Sequence, residues 1–338
     1  MTVMSLTLVT GATGHLGANL VRALLAQGKR VRAMVRATSD RSALSGLDVE
    51  IVEADLGDIP SLSRAVAGVT HLYHTAAMIS VKSGDRAELL RINVDGTRAL
   101  MDAALAAGVQ KVVHTSSFGA IGTPRDPVTH QAQCSTEAHH LDPFENANDY
   151  ERSKSMSELP VFQAAARGLD VCIVNPSAIV GPNDFRPSLV GRTVVDFGLG
   201  KMRAYIPGAF DWVPMRDVVM GHLLAMEKGR RGERYLLCGR VHTLDEIMDW
   251  LAEYTGRARP WLRIPIWLMR GIAFFKDAIE RRFFPNKAPR FNGHSIRLLT
   301  SGKHGSNLKA QRELGLTPSS AKEAFGEAVH WFKQNGRF

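Results

Sequence analysis

The chain has 338 residues, 45% of them hydrophobic and 22% charged, with no low-complexity tract, which argues against a disordered or collagen-like polymer and leaves one large domain with an appendage or two modest domains. Cys134, Cys172 and Cys238 are the three cysteines and form no C-x-x-C pair, so neither a disulfide scaffold nor a structural zinc site is expected. The net charge of +9 is lopsided: residues 257–338 hold 16 Lys and Arg against 5 Asp and Glu, leaving 26 against 28 before them, a pattern that fits either an anionic partner or, as the plainer expectation, a solvated basic face.

Met1 to Leu8 lead into a glycine loop without a basic segment or a small-residue cleavage site. No signal peptide is visible, and a reducing, cytoplasmic setting is the expectation. From residue 5 to about 180, short β-branched runs alternate with helix-length amphipathic stretches. The runs are Leu6–Thr10, Val31–Val35, Val49–Val52, Val69–Tyr73, Val112–Thr115 and Val171–Val174; the helical segments include Gly14–Ala26, Ile59–Ala67, Glu88–Ala107 and Tyr150–Arg167. Strand alternating with helix predicts a doubly wound α/β domain, a parallel sheet of Rossmann type covered on both faces.

Strand one ends in Thr10-Gly-Ala-Thr-Gly-His-Leu-Gly17 and a helical pattern follows at once. Gly11 allows the tight turn, Gly14 lets backbone approach a pyrophosphate, and Gly17 lets helix and strand pack closely, with the helix amino terminus offering free N–H groups to phosphates. At the end of strand two, where a carboxylate would read an adenosine 2′-hydroxyl, the chain carries Arg36. A guanidinium matches a 2′-phosphate, so NADP(H) is expected over NAD(H), with Arg41 as a second contact.

Ser117 follows the fifth run, and Tyr150-Glu-Arg-Ser-Lys154 has i, i+4 spacing that puts phenol and ammonium on one helical face. An ammonium beside a phenol stabilises its phenolate and makes it a usable acid–base. Pro160 lies inside the same helix and is expected to kink or end it one turn later. His71, His74 and His114 lack ligand spacing, and no metal site is expected.

After Asn175-Pro176 the alternation loosens, and residues 181–338 read as a smaller, mainly substrate-binding lobe behind a dinucleotide-binding domain of residues 1–180, with a strand near Arg234–Cys238 that can return to the main sheet. The most apolar stretch, Ile264–Phe275, is interrupted by Arg270 and falls short of the ~20 residues a bilayer-spanning helix needs. The segment 261–284 reads either as an amphipathic helix in peripheral contact with a membrane or, preferred, as a helix over the substrate pocket or at an oligomer interface.

With the glycine loop, the Ser117/Tyr150/Lys154 set, His74-Thr-Ala-Ala77, Asn93-Val-Asp-Gly-Thr97 and Asn175-Pro-Ser-Ala-Ile-Val-Gly-Pro182, the chain resembles the extended short-chain dehydrogenase/reductases of the NAD-dependent epimerase/dehydratase superfamily. Val31–Asp40, Asn148–Lys154 and Ala328–Phe332 are most similar to its group of dihydroflavonol reductases, 3β-hydroxysteroid dehydrogenases and hopanoid-associated sugar epimerases. The resemblance implies that Tyr150 exchanges a proton with the substrate oxygen, that Lys154 holds the nicotinamide ribose and lowers the tyrosine pKa, and that Ser117, rather than Ser116, binds the same oxygen. It implies a cofactor site of Gly11, Thr13, Gly14, His15, Leu16 and Gly17, with Arg36 and Arg41. Asp55 and Leu56 would lie by the adenine, Ala76 and Ala77 along the cofactor, and Thr115, Tyr150, Lys154, Asn175, Pro176 and Ser177 about the nicotinamide. Asn93 is expected to support a helix. Ser117, Phe118, Asn175, Phe185 and Trp212 are the substrate contacts expected, and a homodimer through a helix pair is usual in the family.

The leading functional expectation is an NADPH-dependent reductase of a ketone or aldehyde on a hydrophobic small molecule, supported by the aromatic content of the second lobe. An NAD-dependent nucleotide-sugar epimerase is the alternative, and a non-catalytic NADP-binding regulatory protein a third. No nucleic-acid partner is expected.

Overall fold

A computed structural model describes residues 5–80, 84–144, 148–268 and 301–338. The first strand, β1 (Leu6–Thr10), is buried throughout, and β2 (Arg30–Val35) and β3 (Glu50–Glu53) lie parallel on one side of it while β4 (His71–His74), β5 (Lys111–Thr115) and β6 (Val171–Pro176) follow on the other. A seventh strand, β10 (Arg234–Leu237), pairs in parallel with β6, giving the order β10-β6-β5-β4-β1-β2-β3. Chain order reverses between β1 and β4, so a crevice opens beyond the carboxyl ends of these strands, where open α/β sheets bind ligands.

Parallel strands need crossovers, and helices cover both faces of this sheet. On one face lie α1 (His15–Ala26) and α7 (Met215–Lys228), whose Leu20, Val21, Leu24, Val218 and Ala225 meet the strand side chains. On the other lie α2 (Ile59–Val66), α4 (Gly96–Ala106) and α5 (Asp149–Ala166), contributing Leu62, Leu100, Ala104, Val161 and Ala164. The single helix read over 88–107 is in fact α3 (Arg86–Leu90), a wide π-helical turn at Arg91–Asp95, and α4. The wide turn brings Asn93 inward, where its amide exchanges hydrogen bonds with the Met78 backbone and donates to Ser153 Oγ at 2.9 Å.

The second lobe has its own core. Strands β7 (Ala178–Val180), β9 (Ala209–Pro214) and β11 (Arg240–Thr243) form a small sheet, with α6 (Leu189–Gly198), α8 (Leu244–Thr255) and α9 (Ala321–Gln334) packed on it around Phe197, Trp212, Leu251, Phe325 and Phe332. A separate two-stranded piece, β8 (Ala204–Tyr205) with β12 (Leu262–Arg263), adds Tyr205 to this core. Both α7 and β10 belong to the main sheet although they follow residue 180, so the chain passes between the two parts more than once.

Two expectations meet the structure differently. Pro160 does not end α5, which continues to Ala166: Pro160, Val161 and Ala164 are buried, and packing against the sheet and α4 outweighs the one lost backbone hydrogen bond. The segment 261–284 is described only through Leu268; the remainder, with Phe274 and Phe275, lies outside the described residues. Among the described residues no helix is long and apolar enough to cross a membrane.

Candidate active site

The glycine loop is shaped by collisions that side chains would cause. Gly11 has φ +67°, and a Cβ there would stand 2.9 Å from the Ala76 backbone; a Cβ on Gly17 would strike the Gly11 carbonyl. Gly14 caps α1 with extended backbone, no side chain accepts from the first-turn N–H groups, and that turn contains no acid. The amides and positive dipole end of α1 are therefore unspent and suited to an anion. Thr13 and Leu16 flank this turn. His15 is committed elsewhere: its Nε2–H donates to the Pro182 carbonyl at 3.0 Å, and burial lowers its pKa and holds it neutral.

Beyond β2 the Arg36 side chain is exposed and has no partner among the described residues, whereas Arg41 is engaged by Glu53. Asp55 Oδ1 accepts from the Gly57 N–H at 2.8 Å, and Leu56 is buried against Gly96 at the start of α4. The Ala76 N–H donates to Thr10 Oγ1 at 3.1 Å, and Ala77 beside it is exposed. Thr10 Oγ1 also shares a hydrogen bond with His74 Nδ1 at 2.9 Å, and His74 Nε2 shares one with Thr97 Oγ1 at 3.0 Å. These links tie the loop after β4 to β1 and α4.

The reactive side chains converge across β5 and α5. A capping box starts α5: Asn148 Oδ1 accepts from the Glu151 N–H at 2.8 Å while Glu151 Oε2 accepts from the Asn148 N–H. Tyr150 is thereby fixed as the second helical residue, its phenol beside the Ser117 hydroxyl. Burial pushes the phenol pKa up against the opposing influence of the Ser117 hydroxyl, and the neighbouring Glu151 adds to the rise. One turn on, Lys154 is 2% exposed, and its Nζ donates to the Thr115 carbonyl at 2.8 Å. Burial pushes it down from 10.5 to about 8, with Glu158 opposing the shift. Ser117 also accepts from the Gly119 N–H at 3.0 Å. Ser116 is buried and faces away, donating to Glu158 at 2.5 Å.

Sequence reasoning missed the polar layer beneath this trio. Burial holds His74, His114 and His222 neutral, His74 at about 3 and His222 at about 4. His222 Nδ1–H donates to the Val218 carbonyl, so Nε2 accepts the Thr115 hydroxyl at 2.8 Å. Neither ring nitrogen of His114 has a hydrogen-bond partner among the described residues, and its ring packs 5.0 Å from that of His74. Glu158 and Arg234 form a buried ion pair at 2.7 Å under Ser116 and Asn175. Glu158 follows Lys154 at the same i+4 spacing that links Lys154 to Tyr150, a signal the sequence did carry; nothing local marks Arg234, which arrives from β10.

At the end of β6, Asn175 Oδ1 and Ser177 Oγ are buried without a hydrogen-bond partner among the described residues. Orphaned acceptors cost stability unless a ligand satisfies them. Together with the uncapped α1 they fit a dinucleotide: Gly11, Gly14 and Gly17 with the α1 amides would hold its phosphates, Lys154 its second ribose, and Pro176 with its neighbours its second ring.

The proposed substrate aromatics do not join this group. Phe118 is 7% exposed and packs with Ile121, Leu236 and Cys238 under Lys303 and Gly305. Phe185 stacks edge-on against Trp331 with Arg22 over its ring. Trp212 is a core residue of the second lobe, edge-on to Phe325. A lobe this small uses its large side chains first to build its own core.

The sequence profile of the NAD dependent epimerase/dehydratase family matches residues 7–238. Over 98% of its length the chain is 59% identical to sterol demethylase protein B of Methylococcus capsulatus, of which 99% is covered, and over 97% it is 36% identical to a putative dihydroflavonol 4-reductase of Synechocystis, of which 94% is covered. The crystal structure of gox2253 superposes with a TM-score of 0.85 at 34% identity, covering 99% of each chain. The chain therefore belongs to the NAD dependent epimerase/dehydratase family, and is an NAD(P)-dependent oxidoreductase of the extended short-chain dehydrogenase/reductase type.

Proposed function

We propose that the protein is an NADPH-dependent reductase acting on a ketone or aldehyde of a hydrophobic ring compound, or the reverse dehydrogenase. The observation that carries this reading is the convergence of the Tyr150 phenol and the Ser117 hydroxyl one turn from the buried Lys154, whose Nζ is held on the Thr115 carbonyl. A nicotinamide cofactor, when bound, supplies or takes the hydride. Tyr150, held protonated by burial, gives its proton to the substrate oxygen as that oxygen gains charge. Ser117 Oγ–H donates to the same oxygen and stabilises the developing charge. Lys154, anchored on Thr115, holds the ribose hydroxyls and supplies positive charge next to the phenolate left on Tyr150.

The relative at 59% identity is named for sterol demethylation, and a sterol-like ring system is the substrate class taken from it. Trp261 and Trp267, 81% and 74% exposed beside Leu262 and Leu268, suit peripheral contact with a lipid surface; equal recovery of protein from supernatants with and without liposomes would dismiss that contact. Asn175, which the resemblance to sugar-nucleotide epimerases would set near a sugar diphosphate, is not free to serve there. Both its N–H groups are spent on the Ser117 carbonyl and Glu158, and the oxygen left over cannot donate to a diphosphate.

The test is a fluorescence titration with NADPH and NADH after removal of co-purifying cofactor. NADPH preference lost in Arg36→Asp, followed by NADPH oxidation in a screen of sterol ketones, supports the reading. Firmly retained NAD with no NADPH preference would overturn the cofactor assignment.

A further inference from the structure

We propose that Glu158 is a positioning residue: with Arg234 as its charge partner, it fixes the Asn175 amide so that Asn175 Oδ1 faces a hydrogen-bond donor of the bound ligand, an N–H or O–H next to the reacting carbon. This rests on the dinucleotide reading given above. Glu158 is buried, 4% exposed at its side chain, and each of its oxygens is engaged. Oε1 accepts from Ser116 Oγ at 2.5 Å and from Asn175 Nδ2 at 2.8 Å, and Oε2 meets Arg234 at 2.7 Å. Asn175 Nδ2 places its other hydrogen on the Ser117 carbonyl at 3.0 Å.

An amide side chain has two nearly isosteric orientations, and its surroundings decide between them. Here both groups facing Nδ2 accept only. A carboxylate paired with Arg234 and a backbone carbonyl cannot receive the amide oxygen, so Oδ1 is forced to the opposite side, where it is buried and has no partner among the described residues. A glutamine at 158 would lack this selectivity, because it can offer either an acceptor or a donor. The charge that gives the selectivity is tolerable in the interior because Arg234 pairs with it and donates also to His140 Nδ1 at 2.9 Å. Ser177 Oγ, two residues beyond Asn175, is a second orphaned acceptor at the same strand end. The donor can come from the nicotinamide half of the cofactor or from the substrate.

The variants are Glu158→Gln and, because an unpaired buried Arg234 can unfold the chain, Glu158→Gln with Arg234→Gln, which leaves the site neutral. Each is examined by thermal unfolding, by affinity for the preferred dinucleotide and for ADP, which lacks the nicotinamide half, and by KM and kcat for a reduced ketone. The expected result is unchanged ADP affinity with about tenfold weaker dinucleotide binding if the donor is the cofactor's, or about tenfold higher KM at unchanged dinucleotide affinity if it is the substrate's. Glu158→Asp, which restores an acceptor-only group, recovers part of either loss. Wild-type affinity and KM in the folded double variant would overturn the proposal, as would parallel loss of ADP and dinucleotide or failure of both variants to fold, each of which reduces the pair to a structural role. A wild-type protein that binds neither ADP nor a dinucleotide would instead remove the cofactor reading itself, and this inference with it.

Discussion

Tyr150 and Lys154 are both displaced by burial toward their neutral forms, and the consequences differ. For Tyr150 the displacement preserves the proton that the proposed reduction requires, so Tyr150→Phe is expected to lower kcat by a factor of about 10²–10⁴ while leaving cofactor affinity intact; steady-state kinetics beside a binding titration separates the two. For Lys154, the fall from 10.5 to about 8 means that the ammonium is lost as pH rises through 8. Cofactor affinity should therefore drop on the alkaline side with a midpoint near 8, a step absent from Lys154→Met. Stability runs the other way over the same range. Between pH 8 and 10.5 the unfolded chain holds a proton on this side chain that the folded chain does not, so the contribution of Lys154 to stability rises with pH. The convergence of Ser117, Tyr150 and Lys154 and the shape of the glycine loop were legible because their spacing is itself chemical information. Phe185 and Trp212 were not, because an aromatic count does not distinguish a lobe core from a pocket wall, and Arg234 was not, because its partner is 76 residues away in sequence.

At the scale of elements, the start of α5 and the loop into α1 control the site. Asn148→Ala removes the capping box and should cost about 1 kcal/mol in urea unfolding, with a larger relative loss of kcat because Tyr150 sits in the first turn. Gly17→Ala forces a Cβ onto the Gly11 carbonyl; calorimetry is expected to show loss of dinucleotide binding along with a lower Tm. The six leading strands were readable from β-branched runs bounded by turns. The wide turn at Arg91–Asp95 and the persistence of α5 past Pro160 were hidden, since both depend on packing that a local pattern does not encode: Asn93 against Met78 and Ser153, and Pro160 against the interior.

For the molecule as a whole, the surplus of cations after residue 256 is partly answered within the chain. Arg259 pairs with Asp245 and Asp249, Arg263 with Asp245, Lys309 with Glu233 and Lys322 with Glu253. Among the described residues, these four cations are thus held by acids supplied earlier in the sequence, and that part of the basic balance reflects internal complementarity. The hydrophobic anchor of the same region is α9: Phe332 is fully buried, and Phe332→Ala should cost about 3–5 kcal/mol in urea unfolding. Dinucleotide at 100 times its Kd should add about 2.7 kcal/mol to the stability of the wild type, a gain measurable as a higher Tm.

Strand β10 sets a timetable for synthesis. Until Leu237 has left the ribosome, β6 is the outer strand of the sheet, with the backbone edge of Val171–Pro176 unpaired and the counter-ion of Glu158 missing. A nascent chain that has made every residue of the Ser117/Tyr150/Lys154 set therefore still carries an open, apolar edge of the kind that recruits foreign strands, and a fragment ending near residue 180 should aggregate rather than bind dinucleotide.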